Sequence, residues 1–278
     1  DVGDGTDGLT SRREAIAFAE ATTGVDTVTF DSAVFTGGAE SLIRLTEGTL
    51  VAAEDIVIDG SGAADLVITG DAAGDDALLA GTNITDLANT DAAALANNTQ
   101  VFNFEGAATL TDLTITGGRV TGFREDGGGI DTKGDLTLTN VEVSGNTATG
   151  EQSRGGGIHT EGKLTASNIT ERAHAVTGED SDGGGIFAKG AGTTIGDSII
   201  SGNRAEGQFG VGGGFAGFGL DLEFRNTLIA DNVATGSGGG IFGDIGTRII
   251  DSTIINHVSG RSGGGVRALD GSIEHSEV

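Results

Sequence analysis

The chain has 278 residues, of which 52 are Gly, and it contains no Pro, Cys, Met, Trp or Tyr. Its 41 acidic residues against 15 basic ones give a formal net charge of -26, which excludes nucleic acids and anionic membranes as expected partners and suits an extracellular or high-salt milieu. A hydrophobic content of 36% supports a folded core, and no run of about 18 apolar residues predicts a membrane span. Without Cys there is neither a disulfide nor a thiolate nucleophile.

The start of the chain carries a helix pattern. Ser11 and Glu14 form a capping-box pair, and an apolar stripe follows from Ala15 to Ala19, so residues 11–21 are predicted to form an amphipathic helix. An open β-helix end exposes its core and its unpaired strand edges, and we therefore expect residues 1–25 to cap it. The chain lacks an initiator Met and stops within a repeat at residue 278, so we expect both ends to continue in a longer protein.

The later sequence is dominated by a repeat of 25 to 29 residues. A triple glycine followed by an apolar residue begins at Gly127, Gly155, Gly183, Gly212, Gly238 and Gly263. A polar marker between these glycines keeps the same period, as Asp112, Asn140, Asn168, Asp197, Asn226 and Asp251. Apolar and polar residues alternate on both sides of this marker, which indicates two short strands that meet at a corner, and the glycine segment adds a third strand.

The repeat predicts an all-β fold, a right-handed parallel β-helix with three short strands per coil. We expect one domain over residues 1–278, with irregular first coils over 26–105 and regular coils over 106–278. Within the irregular coils, strands are predicted at residues 27–30, 43–45, 55–59 and 66–69.

The corner residues are predicted to have a structural role. Asn and Asp tolerate the backbone conformation that a corner requires, and stacked side-chain amides can hydrogen-bond from coil to coil. A second corner column carries Asn146, Asn203 and Asn232, with His174 and His257 at the equivalent places. The glycines are expected to allow positive φ and close packing at another corner, and since no helix follows them they do not predict a phosphate site.

The opening segment DGLTSRREAIAFAEATTGVDTVTFDSAVF, followed by IRLTEGTLVAAEDIVIDGSGAADLVITGD, resembles the N-terminal module of bacterial surface and secreted proteins called the CSLREA domain. The later GGGI and SGNTA repeats are similar to the β-helix repeats that follow that module and to chlamydial polymorphic outer membrane protein repeats. The resemblance implies an exported right-handed β-helix, extracellular or at the bacterial surface, with no established activity. The chain departs from the family at Arg12, where the signature has Leu, and at Thr23, Ser32 and Ser61, where Pro is common.

One coil breaks the repeat. Glu171 stands at an inward, normally apolar position, Arg172 follows it, and His174 replaces the corner Asn. Because an unpaired buried carboxylate is costly, our main expectation is a structural answer, such as a bulge in the strand that turns Glu171 outward. The alternative is that Glu171, Arg172 and His174 form a polar site.

Calcium is the metal for which the sequence offers candidate ligands. Residues 3–9 fit one unit of the calcium-binding nonapeptide pattern, with Asp4 and Asp7 as ligands, although such sites need stacked copies. Asp180 and Asp182 belong to an acidic loop that could also bind calcium. We expect no other cofactor.

Two outward columns are interpreted as surface. Lys133, Glu161 and Lys189 alternate in charge and predict an exposed ladder. A Thr column resembles an ice-binding face but ends at Glu223 and Arg248. Its members are Thr109, Thr137, Thr165 and Thr194.

The predicted function is that of a non-enzymatic structural or adhesive module. Its rigid β-helix would display loops at residues 147–154, 176–182 and 205–210 toward carbohydrate or another surface protein, without inserting into a membrane. The alternative is a polysaccharide-binding or polysaccharide-degrading β-helix, a lyase or hydrolase, centred on the coil of Glu171. The sequence shows no concentrated carboxylate set and few aromatic platforms for sugars, which weighs against the alternative.

Overall fold

The computed structural model describes residues 12–19, 21, 24–37, 41–74 and 95–278. The described chain is a series of short strands with one α-helix, α1 (Arg12–Ala19), and 3-10 turns that include Gly60–Gly62 and Leu95–Asn97. The strands are β1 (Asp26–Thr29), β2 (Leu42–Arg44), β3 (Leu50–Ala52), β4 (Ile56–Asp59), β5 (Val67–Thr69), β6 (Phe102–Phe104), β7 (Ala108–Thr116), β8 (Arg119–Val120), β9 (Ile130–Thr132), β10 (Leu136–Ser144), β11 (Thr147–Ala148), β12 (Ile158–Thr160), β13 (Leu164–Ser167), β14 (Thr170–Arg172), β15 (Ala175–Val176), β16 (Ile186–Ala188), β17 (Thr194–Gly196), β18 (Ile199–Ser201), β19 (Arg204–Ala205), β20 (Phe215–Gly217), β21 (Glu223–Arg225), β22 (Leu228–Ala230), β23 (Val233–Ala234), β24 (Ile241–Phe242), β25 (Thr247–Ile250), β26 (Thr253–Ile255), β27 (Val258–Ser259), β28 (Val266–Arg267) and β29 (Gly271–Glu274).

These strands form three parallel sheets. The first sheet has 15 strands, the second has the six strands β27-β23-β19-β15-β11-β8, and the third has the eight strands β28-β24-β20-β16-β12-β9-β6-β3. Each regular coil passes through the first sheet, turns a corner within it, adds a two-residue strand to the second sheet, and enters the third sheet after its triple glycine. The predicted fold is confirmed as a parallel β-helix, consistent with the right-handed form. The two-residue strands of the second sheet were not predicted.

The core lies inside the coils, where equivalent residues stack in register. Leu136 pairs with Ala108 on one side and with Leu164 on the other, and all three are buried. Four fully buried rings, Phe102, Phe104, Phe215 and Phe224, fill the same interior. The alternation of apolar and polar residues therefore positions an apolar interior and leaves the intervening residues on the outer faces of the sheets.

The first coils agree with the prediction in outline. Each of the four predicted strands is present, as β1, β2, β4 and β5, with ends shifted by at most one residue. Helix α1 covers Arg12–Ala19, within the predicted range of residues 11–21, and its Ile16 is buried in the core at the start of the solenoid. Ser11 lies outside the described residues, so the capping box stays a prediction. Within the described chain, no helix is long and apolar enough to cross a membrane.

The corners have the backbone conformation that the sequence predicts. All six outer-corner residues, Asp112, Asn140, Asn168, Asp197, Asn226 and Asp251, have φ between 48° and 55°. Asn168 donates its Nδ2 to Asn140 Oδ1 at 2.8 Å, and Asn140 donates to Asp112 Oδ1 at 2.9 Å. The first glycine of every triplet also has positive φ. At Gly155 an added Cβ would lie 2.0 Å from the Ile158 carbonyl oxygen, so the close packing expected there is present.

The predicted display segments are only partly loops. Each of them begins in or next to a strand of the second sheet: β11 (Thr147–Ala148), β15 (Ala175–Val176) and β19 (Arg204–Ala205). That part of the prediction is wrong, because small side chains on these strands stack from coil to coil in a buried column, including Ala148, Val176 and Ala205. The loops proper follow these strands and lead to the triple glycines.

Candidate functional site

The inner corner column forms a continuous hydrogen-bonded ladder inside the solenoid. Each side chain accepts the backbone N–H of the equivalent residue one coil earlier. The bonds run from Gly118 N to Asn146 Oδ1, from Asn146 N to His174 Nδ1, from His174 N to Asn203 Oδ1, from Asn203 N to Asn232 Oδ1 and from Asn232 N to His257 Nδ1. Asn146, His174, Asn203 and Asn232 are fully buried, which agrees with a structural role.

Histidine can replace asparagine in this ladder because one neutral tautomer has the same donor and acceptor order. His174 accepts at Nδ1 and lies with Nε2 2.9 Å from the Val143 carbonyl oxygen, to which it donates. Asn232 makes the matching bond from its amide to the Ile200 carbonyl at 3.0 Å. Burial lowers the pKa of His174 to about 4, so the ring is neutral at neutral pH.

Glu171 does not turn outward. Its strand keeps its register, with Val143 and Ile200 as neighbours, and its side chain is fully buried, so the predicted bulge is wrong. Gly185 leaves room for the carboxyl, because a Cβ at that position would lie within 2.6 Å of either carboxyl oxygen. Asn203 also donates its side-chain amide to Glu171 Oε2 at 2.7 Å. Burial raises the pKa of Glu171 well above its ordinary range, which favours the uncharged acid.

The three residues of the predicted polar cluster are divided between two environments. Glu171 Oε1 lies 3.0 Å from His174 Nε2 inside the solenoid. Arg172 points outward, is 34% exposed, and donates to Glu142 Oε1 at 2.7 Å. Since the inner pair has no solvent-exposed surface, this cluster lacks the access that a ligand-binding or catalytic site requires.

The calcium candidates are not brought together. Asp4 and Asp7 lie outside the described residues. Asp180 is exposed, whereas Asp182 accepts the Val211 backbone N–H at 3.2 Å, and burial raises the pKa of Asp182 to about 6. In the part of the chain that the structure describes, no group of three or more His, Asp or Glu side chains could hold a metal ion.

A different group of polar side chains meets on the outside of the third sheet. Its residues come from three coils: they lie on the strands β9, β12 and β16, directly after β12, or in the loops before Gly127 and Gly155. We call this group the outer cleft, and it consists of Asp126, Asp131, Arg154, His159, Glu161 and Phe187. Strand register places Asp131, His159 and Phe187 side by side on neighbouring strands.

His159 lies at the centre of the outer cleft. Its Nδ1 donates to Asp131 Oδ1 at 2.6 Å, and its ring stacks on Phe187 with 5.4 Å between ring centroids. The side chain is only 4% exposed, yet Nε2 has no hydrogen-bond partner. The nearest acidic atoms to Nε2 are Asp126 Oδ2 at 3.6 Å and Glu161 Oε1 at 3.9 Å. A buried nitrogen without a partner is costly, so the outer cleft retains an unsatisfied acceptor beside its carboxylates.

The carboxylates of the cleft are held in different ways. Asp126 accepts the backbone N–H of Arg154 at 2.6 Å, and burial raises its pKa although His159 acts in the opposite direction. Glu161 accepts a hydrogen bond from Lys189 Nζ at 2.6 Å, which lowers its pKa. The Lys189–Glu161 pair confirms that the predicted charge ladder is exposed, and Glu161 also faces the cleft.

Arg154 supplies a cation to the same place. Its guanidinium lies over the Phe187 ring, 5.1 Å from the centroid, and its Nε is buried without a hydrogen-bond partner. Among the described residues it has no ion pair, although its charge opposes the rise in the pKa of Asp126 and contributes to the lowered pKa of Glu161. One planar face is thus covered by an aromatic ring while the donors remain available.

A polar cavity of about 650 Å³ adjoins the outer cleft. Asp126 and Asp131 belong to both, and the rest of the lining is mostly amide, hydroxyl and guanidinium groups. These include Gln100, Asn103, Arg119, Thr121 and Arg124. Volumes of this order are typical of sites for small organic ligands.

The outer cleft was not predicted from the sequence. Glu161 belongs to the predicted charge ladder, three residues after the apolar residue of a GGGI segment. The other residues of the cleft belong to two columns for which the sequence analysis makes no prediction. The column directly after that apolar residue has Asp131, His159 and Phe187 on successive coils, and the column before the glycines has Asp126 and Arg154. Aligning every outward position of the repeat would have brought these residues together.

The fold and its outer cleft define the chain as a parallel β-helix with a polar site on one outer face. No protein-family model, curated protein or solved structure matches the chain. The resemblance to CSLREA proteins therefore stays a prediction.

Proposed function

We propose that this protein is an exported β-helix of the bacterial surface or extracellular space that binds carbohydrate in the outer cleft and the adjoining cavity. The observation that carries the proposal is a sugar-sized polar cavity that shares Asp126 and Asp131 with a cleft containing an unpartnered His159 nitrogen and an unpaired Arg154. The proposal keeps the adhesive role predicted from the sequence and names carbohydrate as the ligand.

The groups in the cleft match the chemistry of a sugar. Hydroxyl groups donate to carboxylates and accept from guanidinium groups, and Asp126, Asp131 and Arg154 offer both kinds of partner. With a net charge of -26 and three carboxylates in the cleft, a neutral glycan is favoured over an anionic one.

One of the segments expected to mediate adhesion, residues 147–154, contributes Arg154 to this surface. Asp126 and Arg154 end the loops that lead into the first two triple glycines, at Gly127 and Gly155. The hydrogen bond from the Arg154 backbone N–H to the Asp126 carboxylate ties these two loops together. Adhesion and carbohydrate binding would therefore share the loop of residues 147–154, next to the third sheet.

The test is a binding screen with neutral and acidic polysaccharides, followed by calorimetric titration of the glycans that bind. We expect neutral glycans to bind, and Asp131→Asn to weaken binding about tenfold or more because it removes a charged acceptor. Glu142→Gln is the matched control, because it also removes one carboxylate. The Glu142 side chain is 35% exposed and lies on β10 of the first sheet, whereas the outer cleft lies on the third sheet.

Three results would contradict this function. The first is that no glycan of the panel binds, and the second is that Asp131→Asn and Glu142→Gln bind as the parent chain does. The third is the release of shorter sugars during incubation, which would replace the non-enzymatic role by polysaccharide degradation.

A further inference from the structure

We infer that the ligand is a linear neutral polysaccharide that lies lengthwise along the third sheet, from the outer cleft across a row of phenylalanine rings. This inference rests on the proposed function and specifies its ligand. A short sugar held only in the cavity would not use the row.

The row continues the stacking that begins in the outer cleft. Beyond the His159–Phe187 contact, Phe187 and Phe218 have ring centroids 5.4 Å apart, and Phe218 and Phe242 have centroids 5.5 Å apart. These rings come from successive coils, on or next to the strands β16, β20 and β24. We call Phe187, Phe218 and Phe242 the aromatic row.

Both ends of the aromatic row carry a guanidinium group. Arg154 lies over Phe187, and Arg267 lies over Phe242, each 5.1 Å from the ring centroid. Along the sheet the polar and aromatic positions therefore extend from Asp131 on β9 to Arg267 on β28, which are separated by four other strands of the third sheet. A ligand that used all of them would have to be extended.

The middle of the row is a solvent-facing platform. Phe187 is 3% exposed and supports its neighbour, whereas Phe218 is 43% exposed and the nearby Leu220 is 50% exposed. An exposed aromatic ring bordered by charged residues is typical of a binding surface. Neighbouring strands lie about 4.8 Å apart, a repeat close to the length of one hexose unit, so successive sugars could follow successive coils.

The negative charge of the surface favours a neutral polymer over an anionic one. The cleft end of the surface has the carboxylates of Asp126, Asp131 and Glu161, and the chain as a whole has a net charge of -26. An anionic polymer would be repelled by this field. A cationic polymer would bind through the same field, and its binding would weaken steeply with added salt.

The experiment compares neutral oligosaccharides of increasing length, from dimers to hexamers of glucose, mannose and N-acetylglucosamine, by calorimetric titration. We expect affinity to rise with length for the series that binds. Phe218→Ala should lower the affinity for the hexamer by about threefold to tenfold and leave the dimer unchanged, because one aromatic contact is lost. Asp131→Asn should weaken the binding of every length.

Two further variants make the comparison specific. Phe218→Leu keeps an apolar side chain but removes the ring, and should behave as Phe218→Ala does. Phe209 is the matched control: it is 40% exposed and also contacts a guanidinium group, that of Arg261, but lies outside the aromatic row. Phe209→Ala should bind every oligomer as the parent chain does.

The outcomes separate the inference from the proposed function. If dimers and hexamers bind equally and Asp131→Asn weakens both, the lengthwise ligand is wrong and the carbohydrate site stands. If no oligomer binds, both are wrong. If only a cationic polymer binds, in a salt-sensitive way, the neutral ligand class is overturned.

Discussion

At the residue scale, the inner ladder selects side chains by the order of their donor and acceptor atoms. Asn146 and Asn232 each present an oxygen to a backbone N–H and an amide N–H to a backbone carbonyl. His174 does the same with Nδ1 and Nε2. A protonated imidazole has two donors and no acceptor, so the ladder tolerates histidine only in its neutral form.

This restriction predicts acid sensitivity at His174. Its pKa is about 4 in the folded chain and near 6.5 in an unfolded one, so the unfolded state binds more protons between these values. The contribution to stability is fully present above about pH 6.5 and is lost as the pH falls toward 4, by roughly 3 kcal/mol. His174→Asn should match the parent chain at neutral pH and be more stable near pH 4. The measurement is the free energy of unfolding in urea across this range.

His257 remains in both chains and cancels in the comparison. Burial lowers its pKa too, so part of the acid sensitivity of the parent chain belongs to it. Equal pH dependence in the parent chain and in His174→Asn would show that the tautomer of His174 does not limit the ladder.

Glu171 predicts the opposite dependence on pH. Its folded pKa is raised, so its contribution is present below the ordinary glutamate value and is lost as the pH rises through the folded value. Glu171→Gln keeps an oxygen for Asn203 and has no proton to lose. The variant should therefore gain stability relative to the parent chain as the pH rises above the ordinary glutamate pKa, measured by the same unfolding assay.

Glu171→Ile is the companion variant. It restores the apolar column of Val143 and Ile200, and Asn203 can then donate to the backbone carbonyl of residue 171, as Asn232 does to Ile200. Both variants should lose the pH dependence that the ionisation of Glu171 produces. The explanation would be wrong if either of them kept the slope of the parent chain.

At the element scale, the first position of each triple glycine requires glycine because of its backbone conformation and its close packing. Gly155 has a φ of 63°, and its added Cβ would lie 2.0 Å from a carbonyl oxygen. Gly155→Ala should destabilise the chain by about 2 kcal/mol or more, because it combines a left-handed conformation with a steric overlap. Thermal and urea unfolding would measure this loss.

Gly196 is the matched control within a strand. Its φ is not in the left-handed region, and the nearest atom to an added Cβ is the Arg225 oxygen at 3.8 Å. Gly196→Ala should leave stability unchanged within about 1 kcal/mol. Equal losses in the two variants would mean that the glycines are not required by the corner.

The repeat predicts elements better than it predicts sites. A periodic column such as that of Asn140 and Asn168 predicts its own backbone conformation, because every coil needs the same corner. The burial of Glu171 depends on Gly185 and on Asn203, which lie on other segments and hold the carboxyl in a space that no single strand pattern reveals. The position of His159 likewise depends on residues from neighbouring coils.

At the scale of the whole molecule, the parallel β-helix behaves as a one-dimensional stack. Hydrogen bonds between strands join each coil to the coils before and after it, as β12 is joined to β9 and β16. The stability of such a stack is approximately a sum of coil and nearest-neighbour terms. A cleft assembled from several coils can therefore be removed with one coil while the stack persists.

Deletion of residues 155–182 tests this property. The deletion removes one complete coil, joins Arg154 to Gly183, and places Ile186 beside Ile130 in the register that Ile158 now holds. We expect a folded, cooperative β-helix by circular dichroism and urea unfolding, with a slightly smaller denaturant dependence because less surface is buried. Binding of glycans should be lost with His159 and Glu161. If this deletion unfolded the chain, the coils would not be interchangeable units and the nearest-neighbour description would be wrong.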